Sequence, residues 1–548
     1  MPVRPIPRIL VLVFALALVL AACGGGDNGG ETGAQGQSGG TVVFAASSDP
    51  KSLDPAFISD GESIRITNQL YEGLVATKPG GLEIVPSLAE SWTPSADGKS
   101  WSFKLRTGVK FHDGTDFNAE AVCFNFDRQY NFKGLAQSDA VSYYWVSVFG
   151  GFSDKKTPSL YAACEATDPQ TAVIKLSEPS SSFLAALSLS SFSIQSPKAL
   201  QDFKSDEIGG TADSPRFSSY GLEHPTGTGP FKFSSFKAGD RTEIVRNDDY
   251  WGKKATLDKV IFRTIADGAA RRQALETGDI QGYDNVDPND VDALKANYQV
   301  LQRPAFNIAY VGMNQSKPPL DNIKIRQAVA YALNREALLK AKYPPGSEVA
   351  SNFMPPEVPG YNPDVTKYPY DPDKAKQLIA ESGVKNPTIE FWYPTDVSRP
   401  YMPDPAANFQ AFKADLEKVG FKIVPKSAPW SPDYLDAYQA GKAQMYLIGW
   451  TGDYGDADNF VGVFFQRKKP EWGFDNPKIF GLLNDAERET DQAKREELYK
   501  QANAEIANFS PGVPYAHTGP FLAFTKGVQG YVPSPVTTEL FNTVTVQQ

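Results

Sequence analysis

Histidine and cysteine are both scarce in this chain, whose 548 residues include only three of each. No histidine has a second metal-binding residue at ligand spacing, so structural or surface roles are favoured for His112, His224 and His517. The sequence also contains no G-x-S-x-G elbow, no H-E-x-x-H motif and no cysteine with a suitable histidine partner. We therefore predict that the chain is not an enzyme and uses neither a metal nor a cofactor.

Basic residues are outnumbered by acidic ones. The chain has 54 Lys and Arg against 64 Asp and Glu, a formal net charge of −10 at pH 7. An acidic body with scattered lysines argues against nucleic acid as a partner. The length is sufficient for two or three domains with large cores.

Long apolar runs are absent except near the N-terminus. Arg4 and Arg8 precede the apolar stretch Ile9–Leu20, which is too short for a permanent membrane helix. Small residues then lead into Cys23, a pattern that predicts a bacterial lipoprotein signal (residues 1–23) ending at a lipidated cysteine; the alternative is an ordinary secretory signal with a chance cysteine. Residues 24–40 include nine glycines and predict a flexible tether. The expected location is outside the cytoplasm, anchored to the cell membrane by lipid.

Two cysteines remain beyond this signal. Outside the cytoplasm an even pair is more often bridged than free, so a disulfide between Cys123 and Cys164 is predicted. It would tie the helix after Asn118 to the start of a strand near Val173. The alternative is a pair of buried thiols that act as small hydrophobes.

The first part of the body, to about residue 220, has the pattern of an α+β domain with much antiparallel sheet. Asp97-Gly98 predicts a turn between two alternating segments, and Asn118 is expected to cap a helix through Tyr130. Further along, DNIKIRQAVAYALNREALLKAKYPP predicts one helix, capped near Asp321 and ended by Pro344.

The stretch Asn386–Trp450 predicts strand, helix, strand, helix, strand. The first strand breaks at Pro394, Asp404 caps the first helix, and the last strand is the apolar run AQMYLIGW. Strands joined by helices run parallel, and open α/β sheets bind ligands beyond the carboxyl ends of such strands. A binding site is therefore expected in the loops that follow these ends.

Those loops carry one fixed charge of each sign. Arg399 lies in TDVSRPYMPDP, near a helix N-terminus, and Asp453 lies in the glycine-rich TGDYGDADNF. Aromatic residues surround both, as in a mostly apolar pocket with a few oriented polar groups. A zwitterionic ligand would suit this pair; the alternative is two solvated loop charges.

The aspartates of the second loop also suggest calcium. An EF-hand loop that began at Asp453 would need glycine at its sixth position and glutamate at its twelfth, where Asp458 and Phe464 stand. Asp456 and Asp458 are therefore interpreted as residues that hold the loop.

Several long motifs resemble one known family. LAESWTPSADGKSWSFKLRTGVKFHDGTDFNAEAVCFNFDR, HPTGTGPFKF, NQSKPPLDNIKIRQAVAYALNRE and YDPDKAKQLIAESG are similar, in the same order, to the signatures of peptide-type (family 5) solute-binding proteins of ABC importers. The resemblance covers nearly the whole body. It implies an α/β, two-lobed periplasmic-binding-protein-like fold of the large three-domain type, with mixed sheets and a ligand cleft between the lobes.

The resemblance also implies domain boundaries. Lobe I would span residues 41–309, with an extra α+β subdomain at about 80–220, and lobe II would span 310–515. Residues 516–548 would return to lobe I. Such a monomer would close over its ligand and present it to the importer's membrane subunits.

GWTGDYGDADNF is very similar to the dipeptide-binding branch, in which the equivalent aspartate holds the peptide's α-amino group. This implies that role for Asp453. The branch also has an Arg-Pro-Tyr sequence whose arginine binds the peptide carboxylate, which implies that role for Arg399. The predicted ligand-binding residues are Arg399, Tyr401, Trp450, Thr451, Gly452 and Asp453.

The chain departs from the branch at Met402, where a polar residue is expected. The expected function is the capture of di- or short oligopeptides for an importer. Two alternatives stay open: the same fold binding a non-peptide solute (a nickel chelate, an oligosaccharide or an opine), and a lipid-anchored extracellular hydrolase.

Overall fold

The computed structural model describes residues 39–212, 214–536 and 538–547. The predicted signal, Cys23 and nearly all of the tether lie outside the described residues. Within them, no helix has the length and apolar character needed to cross a membrane.

Strands from the N-terminal and the C-terminal parts of the described chain meet in a seven-stranded mixed sheet. Its central strand, Thr41–Ala46, pairs in parallel with Lys259–Thr264 on one side and with Gly282–Val286 on the other. The other pairings in this sheet are antiparallel. In spatial order the strands are Phe231–Lys237, Arg241–Arg246, Lys259–Thr264, Thr41–Ala46, Gly282–Val286, Phe521–Phe524 and Gln299–Gln302. The flanking helices include Gly61–Leu70, Gly268–Thr277 and Val291–Lys295.

A four-stranded antiparallel sheet forms the predicted α+β part, in the order Ala89–Pro94, Ser100–Leu105, Thr171–Leu176 and Tyr161–Asp168. Asn118 caps the helix Ala119–Tyr130, as predicted, and a second helix spans Tyr143–Phe149. A disulfide joins Cys123 in the first helix to Cys164. Cys164 lies within the edge strand Tyr161–Asp168 and pairs with Ile174 of the strand Thr171–Leu176, so the bridge is attached to the strand next to the predicted one.

The predicted parallel unit is present in a five-stranded sheet. Thr388–Pro394 pairs in parallel with both Lys422–Ala428 and Met445–Thr451, and Asp404 caps the intervening helix Pro405–Lys418. Two antiparallel strands complete the order Lys422–Ala428, Thr388–Pro394, Met445–Thr451, Asn307–Met313 and Gly512–Ala516. The associated helices are Pro372–Ser382, Pro405–Lys418, Leu435–Gln439, Val463–Phe465, Pro477–Arg488 and Gln492–Phe509.

The single helix predicted after Asp321 is wrong. The structure has two helices there, Ile323–Ala332 and Arg335–Lys342. Leu333 between them is extended (φ −79°, ψ 118°), and the side chain of Asn334 accepts a hydrogen bond from the Ala337 N–H. A capping side chain thus starts a new helix where apolar periodicity alone favoured continuation.

Two short crossovers join the large sheets. One follows Gln299–Gln302 and the other precedes Phe521–Phe524. They lie side by side, since Arg303 N donates to Pro520 O (3.0 Å) and Asn307 Nδ2 donates to Thr518 O (2.7 Å). The crossovers therefore form one paired connection between the lobes, the arrangement expected of a hinge.

Candidate functional site

A cavity of about 1640 Å³ lies between the two large sheets. The carboxyl ends of the parallel strands in both sheets lead into its walls, as the strand-end rule predicts. All six residues predicted to bind ligand line it: Arg399, Tyr401, Trp450, Thr451, Gly452 and Asp453.

Asp453 is held by two side chains. Tyr144 Oη donates to Asp453 Oδ1 (2.8 Å), and Asn459 Nδ2 donates to Oδ2 (3.3 Å). Burial raises the pKa of Asp453 to about 6, although both of these hydrogen bonds oppose the shift. Burial, and then the charge of Asp453, also raise the pKa of Tyr144 well above its ordinary value, so this phenol remains a donor. In the described chain no lysine or arginine pairs with Asp453.

The loop around Asp453 is fixed from behind. Asn459 Oδ1 accepts a hydrogen bond from the Asp453 N–H (2.7 Å), and Asp456 forms a two-pronged ion pair with the buried Arg495 (2.7 and 2.8 Å). Asp458 N donates to Asp456 Oδ1 (2.8 Å). Asp456 is therefore committed to holding the loop.

Gly452 lets this loop approach the crossover closely. Its N–H donates to Phe306 O (2.9 Å), and a Cβ at this position would lie 2.2 Å from the Phe306 ring. A side chain here would push the loop away from the crossover.

Arg399 is positioned by a tight turn and an aromatic ring. Its backbone exchanges two hydrogen bonds with Met402 (3.1 and 2.9 Å), and its guanidinium lies over Trp430, with 4.5 Å to the ring centroid. Arg399 Nε is buried and has no hydrogen-bond partner. Since none of the ion pairs in the described residues includes Arg399, its charge is available to a ligand anion.

Tyr401 and Met402 face different environments. Tyr401 lines the cavity with its ring against Gly449, where a Cβ would be 2.4 Å from the ring, and burial raises its pKa to about 12. Met402 is fully buried in the core of the five-stranded lobe. The departure at Met402 therefore lies in the protein core and not in the ligand wall.

Trp450 and Thr451 end the strand that leads to Asp453. Trp450 packs edge-on against Phe464 (6.3 Å between centroids), and its Nε1 is buried without an acceptor in the described structure. Thr451 is half-buried at the strand end. Both contribute wall surface beside the carboxylate.

The sequence did not reveal three contributors to this site: Tyr144, Trp430 and Asn459. Tyr144 comes from the helix Tyr143–Phe149 of the four-stranded domain, 309 positions from its partner Asp453. No local pattern could have indicated that contact. Asn459 lay within a motif already assigned to the ligand, and the asparagine could have been recognised there as a candidate loop cap.

The opposite wall of the cavity is also charged. Arg65 pairs with Glu62 (3.1 Å) and Asp284 (2.5 Å), and Arg303 pairs with Asp284 (3.2 Å) and Glu539. Although burial opposes ionisation, Arg65 and Arg303 hold the pKa of Asp284 below its ordinary value. Two arginines and three carboxylates thus form one buried ion-pair network on this wall, so both arginines already have anionic partners.

A deep cavity between two hinged α/β lobes, with an unpaired cation and an unpaired carboxylate on the same wall, defines a two-lobed solute-binding protein. Residues 83–472 match the profile of the bacterial extracellular solute-binding proteins, family 5 (middle). The chain belongs to this family, and the predicted family and fold class are confirmed.

Relatives extend over nearly the whole chain. The heme-binding protein A of Haemophilus influenzae is 34% identical, covering 98% of this chain and 99% of that protein. The dipeptide-binding protein of Escherichia coli K12 is 34% identical, covering 92% and 95%. The ABC transporter-associated periplasmic binding protein DppA of Helicobacter pylori, solved in complex with the peptide STSA, superimposes with a TM-score of 0.75 at 30% identity, covering 93% of this chain and 99% of that one.

Proposed function

We propose that this protein captures di- or short oligopeptides outside the cytoplasm and delivers them to an ABC importer. The observation that carries the proposal is the pair of opposite charges in one cavity, Asp453 and Arg399, neither neutralised by a described side chain. The names of the Escherichia coli and Helicobacter pylori relatives support a peptide ligand and a transporter partner.

In the proposed complex Asp453 accepts hydrogen bonds from the peptide ammonium, and Arg399 donates to its carboxylate. The guanidinium of Arg399 lies over the Trp430 ring and has no carboxylate partner among the described residues, so its N–H groups can make a two-pronged contact with the ligand carboxylate. Truncation of one partner in such a buried charged pair costs about 2–5 kcal/mol. No bond is made or broken, so the protein acts by binding alone.

Lobe closure would couple this binding to transport. We assign residues 41–309 and 516–548 to lobe I, about 80–220 of them to the extra subdomain, and 310–515 to lobe II. Ligand that contacts both lobes favours the closed form, and the importer's membrane subunits would recognise that form. Lipid on Cys23 would keep this monomer at the membrane surface.

Heme is the second candidate ligand, because one full-length relative is named a heme-binding protein. The described cavity lining contains no histidine, cysteine or methionine, so tyrosine is the only iron ligand of the usual set within it. This composition favours the peptide over heme.

Incubation with a mixture of di- and tripeptides and with hemin separates the possibilities. We expect intact peptides to be retained on the protein in native mass spectra and hemin to give no shifted Soret band. Cleaved peptides would indicate a hydrolase, and retention of hemin alone would contradict the peptide proposal.

A further inference from the structure

Beyond Arg399 and the exposed Lys340 and Lys342, the cavity wall has a buried cation that the peptide's own termini do not use. Four of the described residues that line it are arginines: Arg65, Arg271, Arg303 and Arg399. Arg65 and Arg303 are paired with carboxylates, and Arg399 is assigned above to the peptide carboxylate. Arg271 remains without an anionic partner.

Arg271 is buried, with 6% of its surface exposed. Its Nη1 donates to two backbone carbonyls, Ile265 O (2.9 Å) and Ala266 O (2.8 Å), while its Nε is buried with no partner. A buried cation that contacts only neutral groups gains from a carboxylate nearby, because its charge is otherwise uncompensated. None of the ion pairs in residues 39–212, 214–536 and 538–547 supplies that carboxylate.

The position of Arg271 in the fold places it on the wall of lobe I. The helix Gly268–Thr277 begins just beyond the carboxyl end of the strand Lys259–Thr264, and its first two residues line the cavity with Arg271. A helix start favours negative charge, so the local field reinforces the arginine. Two acidic side chains that line this wall are already paired, Asp290 with Arg272 (2.5 Å) and Asp284 with Arg65 and Arg303.

We propose that Arg271 binds a second carboxylate of the ligand, carried by an acidic side chain, so that the site favours short peptides that contain glutamate or aspartate. This inference rests on the proposed peptide function and specifies its substrate class. The acidic side chain would reach from the termini held in lobe II to lobe I, so it would also help the two lobes to close on the ligand.

The test compares isosteric peptides by calorimetry. Wild-type protein should bind Ala-Glu or Glu-Ala at least about tenfold more tightly than Ala-Gln or Gln-Ala, because only the former carry the additional charge. Arg271→Gln should abolish that ratio and leave the affinity for Ala-Ala unchanged. Arg263→Gln is the control, since Arg263 is an exposed arginine of the neighbouring strand Lys259–Thr264 and does not line the cavity; it should keep the ratio.

Equal affinities of the wild-type protein for the Glu and Gln peptides would overturn the inference while leaving the peptide function standing. The same would follow if Arg271→Gln weakened Ala-Ala and the acidic peptides by one factor. Should Arg271→Gln fail to fold, a Lys340→Gln/Lys342→Gln variant, which removes the two lysines of the lining, should keep the wild-type ratio, and its loss would overturn the inference. A wild-type protein that binds none of these peptides overturns the proposed function and this inference together.

Discussion

The ionisation of Asp453 makes a quantitative prediction about pH. Burial raises its pKa to about 6, so about nine-tenths of the carboxyl is ionised at pH 7 and about one-tenth at pH 5. The peptide ammonium binds the ionised form. Affinity for a free dipeptide is therefore close to its full value at pH 7, about half of it at pH 6, and about tenfold lower at pH 5 than at pH 7, a difference of about 1.4 kcal/mol.

The ligand termini and the histidines are not expected to change their charge between pH 5 and pH 7 in a way that alters peptide binding. The peptide's own termini keep their charges between pH 5 and 7. Burial lowers the pKa of His112 and of His517 to about 4, and His224 does not line the cavity. Burial, and then the charge of Glu487, raise the pKa of Asp458, which does not line the cavity; the Asp453→Asn variant separates its titration from that of Asp453.

Calorimetry at several pH values, with a free dipeptide and its N-acetylated form, measures the effect. The tenfold loss should appear with the free dipeptide only, and Asp453→Asn should remove it. A free-dipeptide affinity that is constant from pH 7 to pH 5 would refute the assignment of Asp453 to the ammonium, as would an equal loss with the N-acetylated peptide.

Two further predictions rest on the structure, and a third rests on the N-terminal sequence. Gly452→Ala places a Cβ 2.2 Å from the Phe306 ring and should weaken dipeptide binding at least about tenfold, because it moves Asp453. Gly481→Ala is the control, since a Cβ there meets nothing within 4 Å and should leave the affinity unchanged. Equal affinities of the two variants in calorimetry would contradict this prediction. The Cys123–Cys164 bridge closes a loop of 41 residues and should stabilise by about 4 kcal/mol on the chain-entropy model. Thiol titration of protein lacking residues 1–38, denatured but not reduced, should find no free thiol, and two free thiols would exclude the bridge. Cys23→Ala should leave the precursor uncleaved or release the protein from membranes in fractionation, and an unchanged membrane fraction would argue against lipidation at Cys23.

Local signals were sufficient for the wall that carries Arg399 and Asp453. Pro394 ends one strand, Asp404 caps the next helix, and the apolar run to Trp450 defines the strand before Asp453. Each of these three signals is a short-range effect of backbone geometry or burial. Because the carboxyl ends of parallel strands meet at one edge of a sheet, the two loops that follow them lie close together.

The remaining site depends on long-range contacts. Tyr144 reaches Asp453 from another domain, and Arg271 joins the cavity only because its sheet faces the other lobe. A sequence pattern indicates that Arg271 is helical but not which surface its helix faces. The break at Leu333 was missed for a different reason, since the capping by Asn334 competes with an apolar period that continues through it.

The central claim is that the cavity recognises both ends of a peptide. Calorimetry on Asp453→Ala and Arg399→Ala, each with a free, an N-acetylated and a C-amidated dipeptide, tests it most directly. Asp453→Ala should weaken the free dipeptide by a factor of at least tens and matter much less for the N-acetylated one, because about 2–5 kcal/mol depends on the pairing of that ammonium. Arg399→Ala should show the mirror pattern with the amide. If both variants bind the free dipeptide as tightly as the parent, the site assignment is contradicted and a non-peptide solute becomes the leading ligand.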